Sequence, residues 1–252
     1  MLRVDWYLIA NMKICCVIPN YNHTRGFADL VKSIKRTDLP VYIINDASDD
    51  DARRIMESIA NANDEVTLIH HATNKGKGGA VKTGLKQALA DGMTHALQID
   101  ADGQHQVDDI SVFIETAKTY PDQVISGKPV YDDSIPTHRY LARYITHFWV
   151  CIETLSTSLR DTMCGFRVYP LRETVSLIER INTGDRMDFD IEILVRLYWS
   201  GVKTQYIDTR IIYPEDGLSH FRSLEDNLKI SWLHTRLFFG MIPRIPQLLW
   251  SR

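Results

Sequence analysis

The sequence lacks the features that would place it in several large classes of protein. Its net charge is only -3 at pH 7, so the overall composition gives no reason to expect nucleic acid as a partner. No uninterrupted apolar run reaches the roughly 18 residues needed for a membrane-spanning helix. The N-terminal residues also lack the apolar core and small-residue cleavage site of a signal peptide. We therefore expect a cytoplasmic protein whose only contact with a membrane is peripheral, at its inner face.

Cysteine is scarce and unpatterned. The four cysteines are Cys15, Cys16, Cys151 and Cys164, and they contain neither a CxxC pair nor a spacing typical of zinc ligands. This excludes a disulfide framework and a structural zinc site, and it predicts buried free thiols in a reducing compartment.

Short apolar segments alternate with amphipathic segments through the first half of the chain. The strand-like segments are KICCVIP, VYIIND, VTLIHH and HALQID, and the helical ones are FADLVKSIKR, DARRIMESIANA and AVKTGLKQALADG. This alternation predicts an α/β domain with a mostly parallel central sheet flanked by helices. We assign residues 1–12 to an N-terminal extension, 13–222 to this domain and 223–252 to a basic amphipathic C-terminal segment.

Polar clusters follow three of the predicted strands. They are PNYN after the first strand, NDASDDD after the second and DADGQH after the fourth. Because ligands of parallel sheets bind at the carboxyl ends of the strands, the three clusters together predict a binding site at one edge of the sheet.

Asp100 and Asp102 end the fourth strand one residue apart. In an extended segment their side chains point the same way and can face one cation, with Gln104 as a neutral oxygen ligand. Such hard ligands suit Mg²⁺ or Mn²⁺. The competing interpretation is an Asp-rich turn with solvated acids.

Tyr21 and Asp46 are candidates for a base-binding pocket. The ring of Tyr21 offers a stacking surface, and Asp46 can accept a hydrogen bond from a base N–H. The alternative is that NDASDDD is a capped turn leading into a helix, which we favour for Asp49 and Asp50.

The glycine-rich stretch NKGKGGAVKTG follows the third strand and opens a helix. Its backbone N–H groups, with Lys75 or Lys77, are placed to meet phosphates. The stretch fits neither the P-loop pattern nor GxGxxG, so it supports a nucleotide site only through its position.

The chain resembles the family 2 glycosyltransferases of the GT-A fold, and most closely the dolichyl-phosphate mannosyltransferase group, over about residues 13–222. The segments that carry the resemblance are VIPNYN, INDASDDD, NKGKGGAVKTG, QIDADGQH, CGFRVYP and FDIEILVRLYWSG. The resemblance implies a Rossmann-like nucleotide-binding half and an acceptor half. It also implies inverting transfer of a sugar from a UDP- or GDP-linked donor to a lipid-linked acceptor such as polyprenyl phosphate.

Several site residues are implied by this resemblance. The nucleotide-binding set is Pro19, Tyr21, Asn22, Asp46, Lys75, Gly78, Asp100 and Ala101. The metal set is Asp100, Asp102 and Gln104. The chain departs from the family at His23, where an acid is usual, and at Asn45, where the first Asp of a pair is frequent.

The second half is expected to bind the acceptor. Its implied phosphate-binding set is Lys128, Arg139, Arg143, Arg167, His220 and Arg222. For the first three, solvated surface cations are an equal alternative, and Arg167 has the alternative role of tying down a loop. The candidate catalytic acids are Asp188, Asp190 and Glu192. One of them must act as a base only if the acceptor is a hydroxyl. Acids in a first helical turn are also common for dipole reasons alone.

Two apolar patterns lie outside these motifs. A stripe with helical spacing is expected to pack mostly in the core, and it comprises Leu141, Ile145, Phe148, Ile152, Leu155 and Leu159. The segment from Asn227 onward has four Lys or Arg residues, no acid and the aromatic residues Trp232, Phe238, Phe239 and Trp250. That composition is typical of an interfacial membrane element, and a helix that completes the core is the alternative.

Two other functions remain possible from the sequence. One is a non-catalytic, nucleotide-binding relative that acts as a subunit of a membrane-associated complex. The intact Asp100, Asp102 and Gln104 segment argues against it. The other is a nucleotidyltransferase, which is disfavoured because the glycine-rich loop follows the third strand and not the first.

Overall fold

A computed structural model describes residues 11–130, 137–210 and 223–250, with side chains throughout except at 137–142 and 223–225. Three predicted acceptor-site residues fall outside this description: His220 and Arg222 entirely, and Arg139 in its side chain.

Seven strands of the described ranges form one sheet. They are β1 (Ile14–Asn20), β2 (Val41–Asn45), β3 (Val66–His70), β4 (His95–Gln98), β5 (Val124–Val130), β6 (Arg167–Pro170) and β7 (Thr204–Arg210). Their order is β3-β2-β1-β4-β6-β5-β7. Only β6 runs antiparallel to its neighbours β4 and β5. The predicted mostly parallel α/β sheet is therefore confirmed.

Helices flank this sheet. In the described ranges they are α1 (Phe27–Lys35), α2 (Asp50–Asn61), α3 (Lys77–Ala90), α4 (Ile110–Thr119), α5 (Thr137–Thr154), α6 (Leu171–Arg180), α7 (Asp188–Trp199), α8 (Ser223–Met241) and α9 (Ile245–Trp250). Asp49 caps α2 by accepting a hydrogen bond from the N–H of Ala52 at 2.9 Å, which confirms the capped-turn interpretation of this residue. No helix among the described residues is both long enough and apolar enough to cross a bilayer.

The sheet separates two apolar cores. Along β1, Cys15 and Val17 face one core whereas Cys16 and Ile18 face the other, and all four side chains are fully buried. The four cysteines are free thiols, and only Cys151 is not fully enclosed. The prediction of free cysteines is confirmed. The prediction that they are buried is confirmed for Cys15, Cys16 and Cys164.

The prediction that the stripe of residues 141–159 packs mostly in the core is wrong for Ile145 and Phe148, which are exposed, Phe148 to 61%. Leu159 is buried, and Ile152 and Leu155 pack partly against the core, whereas the side chain of Leu141 lies outside the described residues. The buried side of α5 instead carries Thr146, Val150, Glu153 and Thr154 at helical spacing. Glu153 has a buried partner on α8, because its Oε1 lies 2.8 Å from Nδ1 of His234. The hydroxyl of Thr154 donates to the carbonyl of Val150 at 2.7 Å.

Helix α8 is apolar on two sides. Leu233, Leu237 and Met241 are buried in the core, whereas Trp232 is 64% exposed. The C-terminal segment therefore completes the core, as the alternative interpretation expected, and it also presents an outer apolar surface. Contact of that surface with a membrane remains a prediction.

The exposed residues of α5 and α8 form a surface that we call the apolar face. A chain of aromatic rings joins the two helices across it, with Phe148 6.0 Å from Trp149, Trp149 6.4 Å from Phe238, and Phe238 5.6 Å from Phe239 between ring centroids. The apolar face comprises Tyr144, Ile145 and Phe148 of α5 with Leu228, Trp232 and Phe239 of α8.

Candidate active site

The carboxyl ends of β3, β2, β1 and β4 lie side by side, and the predicted polar clusters follow them there. The backbone joins the first two clusters, because Asp46 N–H donates to the carbonyl of Asn20 at 2.9 Å. β6 contributes to the same edge, since its antiparallel course pairs Arg167 with Gln98.

The loop after β1 is fixed by Asn22. This residue adopts a left-handed φ of 59°, donates its N–H to Ser48 Oγ at 3.0 Å, and accepts from Asp49 N–H at 2.8 Å. Tyr21 beside it is 36% exposed at the sheet edge, whereas Pro19 is buried within β1. The geometry leaves part of the Tyr21 ring accessible for stacking.

Asp46 is buried, and the glycine-rich loop occupies both of its oxygens. Oδ1 accepts from Lys75 N–H and Oδ2 from Gly76 N–H, each at 2.8 Å, and Oδ1 also lies 2.7 Å from His71 Nδ1. The carboxylate therefore holds the loop in place, and a base contact remains a prediction.

The glycine-rich loop packs against the segment that precedes α7. A Cβ on Gly78 would lie 2.4 Å from Cβ of Phe189, so only glycine permits this approach. Gly79 N–H donates to the carbonyl of Asp185 at 2.9 Å. The N–H groups of Lys75, Gly76 and Gly79 thus have protein partners, and Gly78 allows the loop to pack closely against Phe189. The predicted contact of Gly78 with a nucleotide remains a prediction.

Lys77 connects the two halves of the site. Its ammonium lies 2.8 Å from Asp100 Oδ2 and 2.9 Å from Asp190 Oδ2. Burial alone would lower the pKa of Lys77, but the two carboxylates raise it above its ordinary value. A Cβ on Gly165 would lie 2.6 Å from this ammonium, so the backbone there closes over the pair.

Asp100 and Asp102 differ in their surroundings. Burial by itself would raise the pKa of Asp100, but Lys77 and His105 hold it below its usual range. Burial and the charge of Asp100 raise the pKa of Asp102. Asp102 Oδ1 accepts from the N–H of Gln104 at 3.1 Å, and Ala101 is buried between the two acids.

The chemistry of these oxygens fits a divalent cation. Asp100 Oδ1 is buried and has no hydrogen-bond partner among the described residues. A buried carboxylate oxygen without a donor is a suitable ligand for Mg²⁺ or Mn²⁺. No three His, Cys, Asp or Glu side chains in the described ranges form a ready-made metal cluster, so a cation here would require oxygens from a ligand or water.

Arg167 lies beneath the site and is fully buried. It donates to the carbonyls of Thr162 and Asp190 at 2.8 and 2.7 Å, and to the hydroxyl of Tyr169 at 3.2 Å. Of the two roles considered for it, the structure supports the loop-tying one, and the assignment of Arg167 as an acceptor-phosphate ligand is corrected.

The three acids of α7 point in different directions. Asp190 faces Lys77 and lies within 3.4 Å of Gln98 Nε2. Glu192, two residues along the helix, points away and is paired with Arg196 and Arg236. Asp188 Oδ1 accepts from the N–H of Arg186 at 3.1 Å. Only Asp190 joins the cluster around Asp100, so the expectation that Glu192 and Asp188 act directly as bases is not supported by their positions.

Two predicted acceptor cations have acidic partners. Arg143 Nη1 lies 2.6 Å from Asp161 Oδ2, and Lys128 Nζ lies 3.3 Å from Asp208 Oδ1 on the neighbouring strand. Their expected role in binding phosphate remains a prediction.

Sequence reasoning missed the roles of Lys77 and Gly165. The sequence presents Lys77 only as one of two lysines in a glycine-rich loop, because its partner Asp190 is more than a hundred residues away. Gly165 precedes the Phe-Arg pair that was noted, but its importance follows from its contact with Lys77 and Asp100, which only the fold reveals.

Comparisons with known proteins agree on one family. A model of glycosyl transferase family 2 matches residues 15–174. The chain is 34% identical over 250 residues to UDP-N-acetylglucosamine–dolichyl-phosphate N-acetylglucosaminyltransferase of Methanococcus voltae, covering 93% of this chain and 99% of that protein. It is 27% identical over 165 residues to undecaprenyl-phosphate mannosyltransferase of Micrococcus luteus, covering 63% and 66%.

A solved structure has the same architecture. Glucosyl-3-phosphoglycerate synthase of Mycobacterium tuberculosis, in complex with Mn²⁺, UDP-glucose and phosphoglyceric acid, superposes with a TM-score of 0.69 at 13% identity. The match covers 93% of this chain and 81% of that one, and it confirms the GT-A fold.

Proposed function

Because the chain belongs to glycosyl transferase family 2, we propose that it moves a sugar from a nucleotide diphosphate to polyprenyl phosphate, with inversion at the anomeric carbon. The observation that carries this proposal is the cluster of Asp100, Lys77 and Asp190. It brings charged groups from both halves of the chain to the carboxyl ends of the strands, where α/β sheets bind ligands. The names of the Methanococcus and Micrococcus relatives support the choice of a polyprenyl-type acceptor.

The donor binds along the loops that follow β1 and β2. Tyr21 supplies a stacking surface for the base, and Asp46 supports the pocket by holding Lys75 and Gly76 in position. The donor is UDP- or GDP-linked, and the name of the Methanococcus relative makes UDP sugars the first to test.

The metal is Mg²⁺ or Mn²⁺, held by Asp100 and Asp102 with Gln104 beside them. When bound, the cation neutralises charge that develops on the leaving diphosphate. The unpartnered Asp100 Oδ1 supports this assignment. Lys77 holds the Oδ2 oxygen of the same carboxylate and so orients Asp100.

Asp190 faces the acceptor side of the cluster. A hydroxyl acceptor would need a base to take its proton, and Asp190 is the acid of α7 that lies at the site. A phosphate acceptor is already ionised at neutral pH and needs none. With such an acceptor, Asp190 acts by holding the ammonium of Lys77 in place.

The acceptor phosphate is bound by cations from the second half, with Lys128, Arg139 and Arg143 as its main ligands. Arg143 and Lys128 are paired with Asp161 and Asp208, and they donate charge-assisted hydrogen bonds to the phosphate in place of these carboxylates or in addition to them. His220 and Arg222 belong to the same proposed set.

The lipid chain of the acceptor lies in a bilayer that the protein contacts peripherally, at its inner, cytoplasmic face. Exposed aromatic side chains and a C-terminal segment without acids after Asp226 are typical of an interfacial element that binds anionic lipid. Free cysteines fit the reducing conditions of that compartment.

The test is a transfer assay with the purified protein. UDP- and GDP-linked sugars are incubated with Mg²⁺ or Mn²⁺ and vesicles that contain polyprenyl phosphate, and both nucleoside diphosphate release and glycolipid formation are measured. Glycolipid from one donor supports the proposal. Nucleotide binding without turnover of any donor would instead support the non-catalytic subunit.

A further inference from the structure

Glu192 is a fully buried acid that the proposed reaction does not use, and three separate segments contact it. Gly184, in the loop before α7, donates its N–H to Oε2 of Glu192 at 2.8 Å. Arg196, one turn along α7, lies 2.7 Å from Oε1. Arg236 of α8 lies 3.2 Å from Oε2.

The loop held by Glu192 is the loop on which the glycine-rich segment rests. Next to Gly184, the Asp185 carbonyl accepts from Gly79 N–H at 2.9 Å. The Asp185 carboxylate lies 2.5 Å from Lys82 of α3, whose ammonium also donates to the carbonyl of Thr183 at 3.1 Å. Displacement of this loop would therefore displace the start of α3, where Lys77 is located.

The same helix carries Asp190 on its opposite side. Residues two positions apart on a helix point in nearly opposite directions. A contact that fixes one side of the helix therefore also fixes the orientation of the side chains on the opposite side. Glu192 anchors α7 to α8 through Arg236, while Asp190 meets Lys77.

We propose that Glu192 is a positioning residue: through Gly184, Arg196 and Arg236 it sets the loop and helix geometry that brings Asp190 and Lys77 to Asp100. This inference rests on the proposed transferase function for its kinetic consequences. It also makes the C-terminal helix α8 part of the support of the site, because one of the partners of Glu192 belongs to that helix.

The test compares Glu192→Gln, which keeps the acceptor for Gly184 N–H but removes the charge, with Arg236→Met. A small displacement of reacting groups costs about tenfold to a hundredfold in kcat, and we expect a loss of this size in both variants. The double variant should lose no more than the worse single variant, because the two residues act as one unit.

Two variants serve as controls. Arg236→Lys keeps the cation on α8 and should recover most of the lost kcat. Lys32→Met removes an exposed cation from α1, outside both the candidate site and the C-terminal segment, and should leave kcat unchanged. Hydrogen exchange of the backbone amides at 75–79 should rise in Glu192→Gln and Arg236→Met but not in Lys32→Met.

Two results would overturn the proposal. If Glu192→Gln abolishes turnover while Arg236→Met has wild-type kcat and wild-type loop exchange, Glu192 acts directly in the chemistry. If both variants lower only thermal stability, with kcat per folded molecule and loop exchange unchanged, the network is only structural. Absence of transfer by the wild-type protein would reject the transferase function, and the exchange measurement would still decide the positioning role.

Discussion

The ammonium of Lys77, in the first turn of α3, lies 2.9 Å from the carboxylate of Asp190 in the first turn of α7. Each residue is poorly suited to its buried position without the other, because burial disfavours both charges. The pair therefore fixes how the glycine-rich loop and α3 meet α7.

Replacement of Lys77 by Met should destabilise the protein and abolish transfer. Removal of the cation leaves Asp100 and Asp190 close together without the ammonium that pairs with both carboxylates, at a cost of roughly 3 kcal/mol in the free energy of unfolding. The further change Asp190→Asn should restore part of the stability but no activity, which urea unfolding and the transfer assay would reveal. Lys75→Met, at an exposed position of the same loop, is the matched control for the unfolding measurement. Wild-type stability in the Lys77 variant would contradict the pairing.

Asp102→Asn should remove activity and divalent-dependent nucleotide binding while the fold stays intact. Asparagine keeps the oxygen that accepts from Gln104 N–H, so the turn is retained, but the charge that would bind a hard cation is lost. Calorimetry with UDP and with GDP, each with and without Mn²⁺, measures the effect. Asp108→Asn, an exposed acid after the same turn, should behave as wild type. Normal turnover in the Asp102 variant would show that the metal is held elsewhere.

Tyr21→Ala and Asp46→Asn should have different effects. Loss of the partly exposed Tyr21 ring should weaken nucleotide binding by about 1 kcal/mol and leave stability unchanged. Asp46→Asn should instead lower the free energy of unfolding by about 1 to 3 kcal/mol, because asparagine keeps an acceptor for only one of the two N–H groups of Lys75 and Gly76 and loses the charge. Calorimetry and urea unfolding separate the two. A stable Asp46 variant with weaker nucleotide binding would restore its role in direct base contact.

The sheet and the polar clusters at its edge could be predicted from the sequence, because periodicity and the residues that follow each strand are local properties. Strands such as Val41–Asn45 are continuous buried runs, and Asp100 follows the last of them in the first half. The partners of the two α7 acids could not be predicted, because they come from distant segments of the chain. Asp190 meets Lys77, whereas Glu192 meets Arg236.

Burial of Ile145 and Phe148 on α5 was wrongly predicted for a related reason. Apolar spacing predicts one side of a helix but not whether that side faces the core, and here a buried polar pair, Glu153 with His234, holds the other side inward. The exposed position of Phe148 was therefore hidden in a pattern that usually indicates core packing.

This buried pair predicts a dependence of stability on pH. Burial raises the pKa of Glu153, and His234 offsets only part of the rise. The folded protein therefore binds the proton of Glu153 more tightly than the unfolded chain does, in which the pKa is about 4.3. The stability from this group falls as pH rises from the pKa of the unfolded chain through the higher pKa of the folded protein. Glu153→Gln removes the titration and keeps an acceptor for His234, so wild type should lose stability relative to the variant across this window. Urea unfolding as a function of pH measures the difference, with Glu115→Gln as an exposed control. Parallel pH profiles for wild type and Glu153→Gln would contradict the prediction.

Substitutions on the apolar face should weaken membrane contact without weakening the fold. Trp232→Ser with Phe239→Ser removes exposed aromatic area, and burial of such area in the interface is what favours binding to a bilayer. We expect the double variant to co-sediment less with anionic vesicles than wild type does. Its reaction with long-chain acceptors should be slowed more than its reaction with short soluble ones, because the site itself is unchanged. Phe148→Ser on α5 should act in the same direction.

The control and the choice of substitutions follow from the packing. Val112→Ser changes an exposed apolar residue on α4, outside the apolar face, and should leave vesicle binding unchanged. Deletion of the chain after Arg236 is a poorer experiment, because it also removes Leu237, Met241 and Leu248 from the core. If the double serine variant is folded and binds vesicles as wild type does, the apolar face does not contact the membrane. A protein partner, or a second copy of the chain, would then be the next occupant to test by cross-linking through Trp232→Cys.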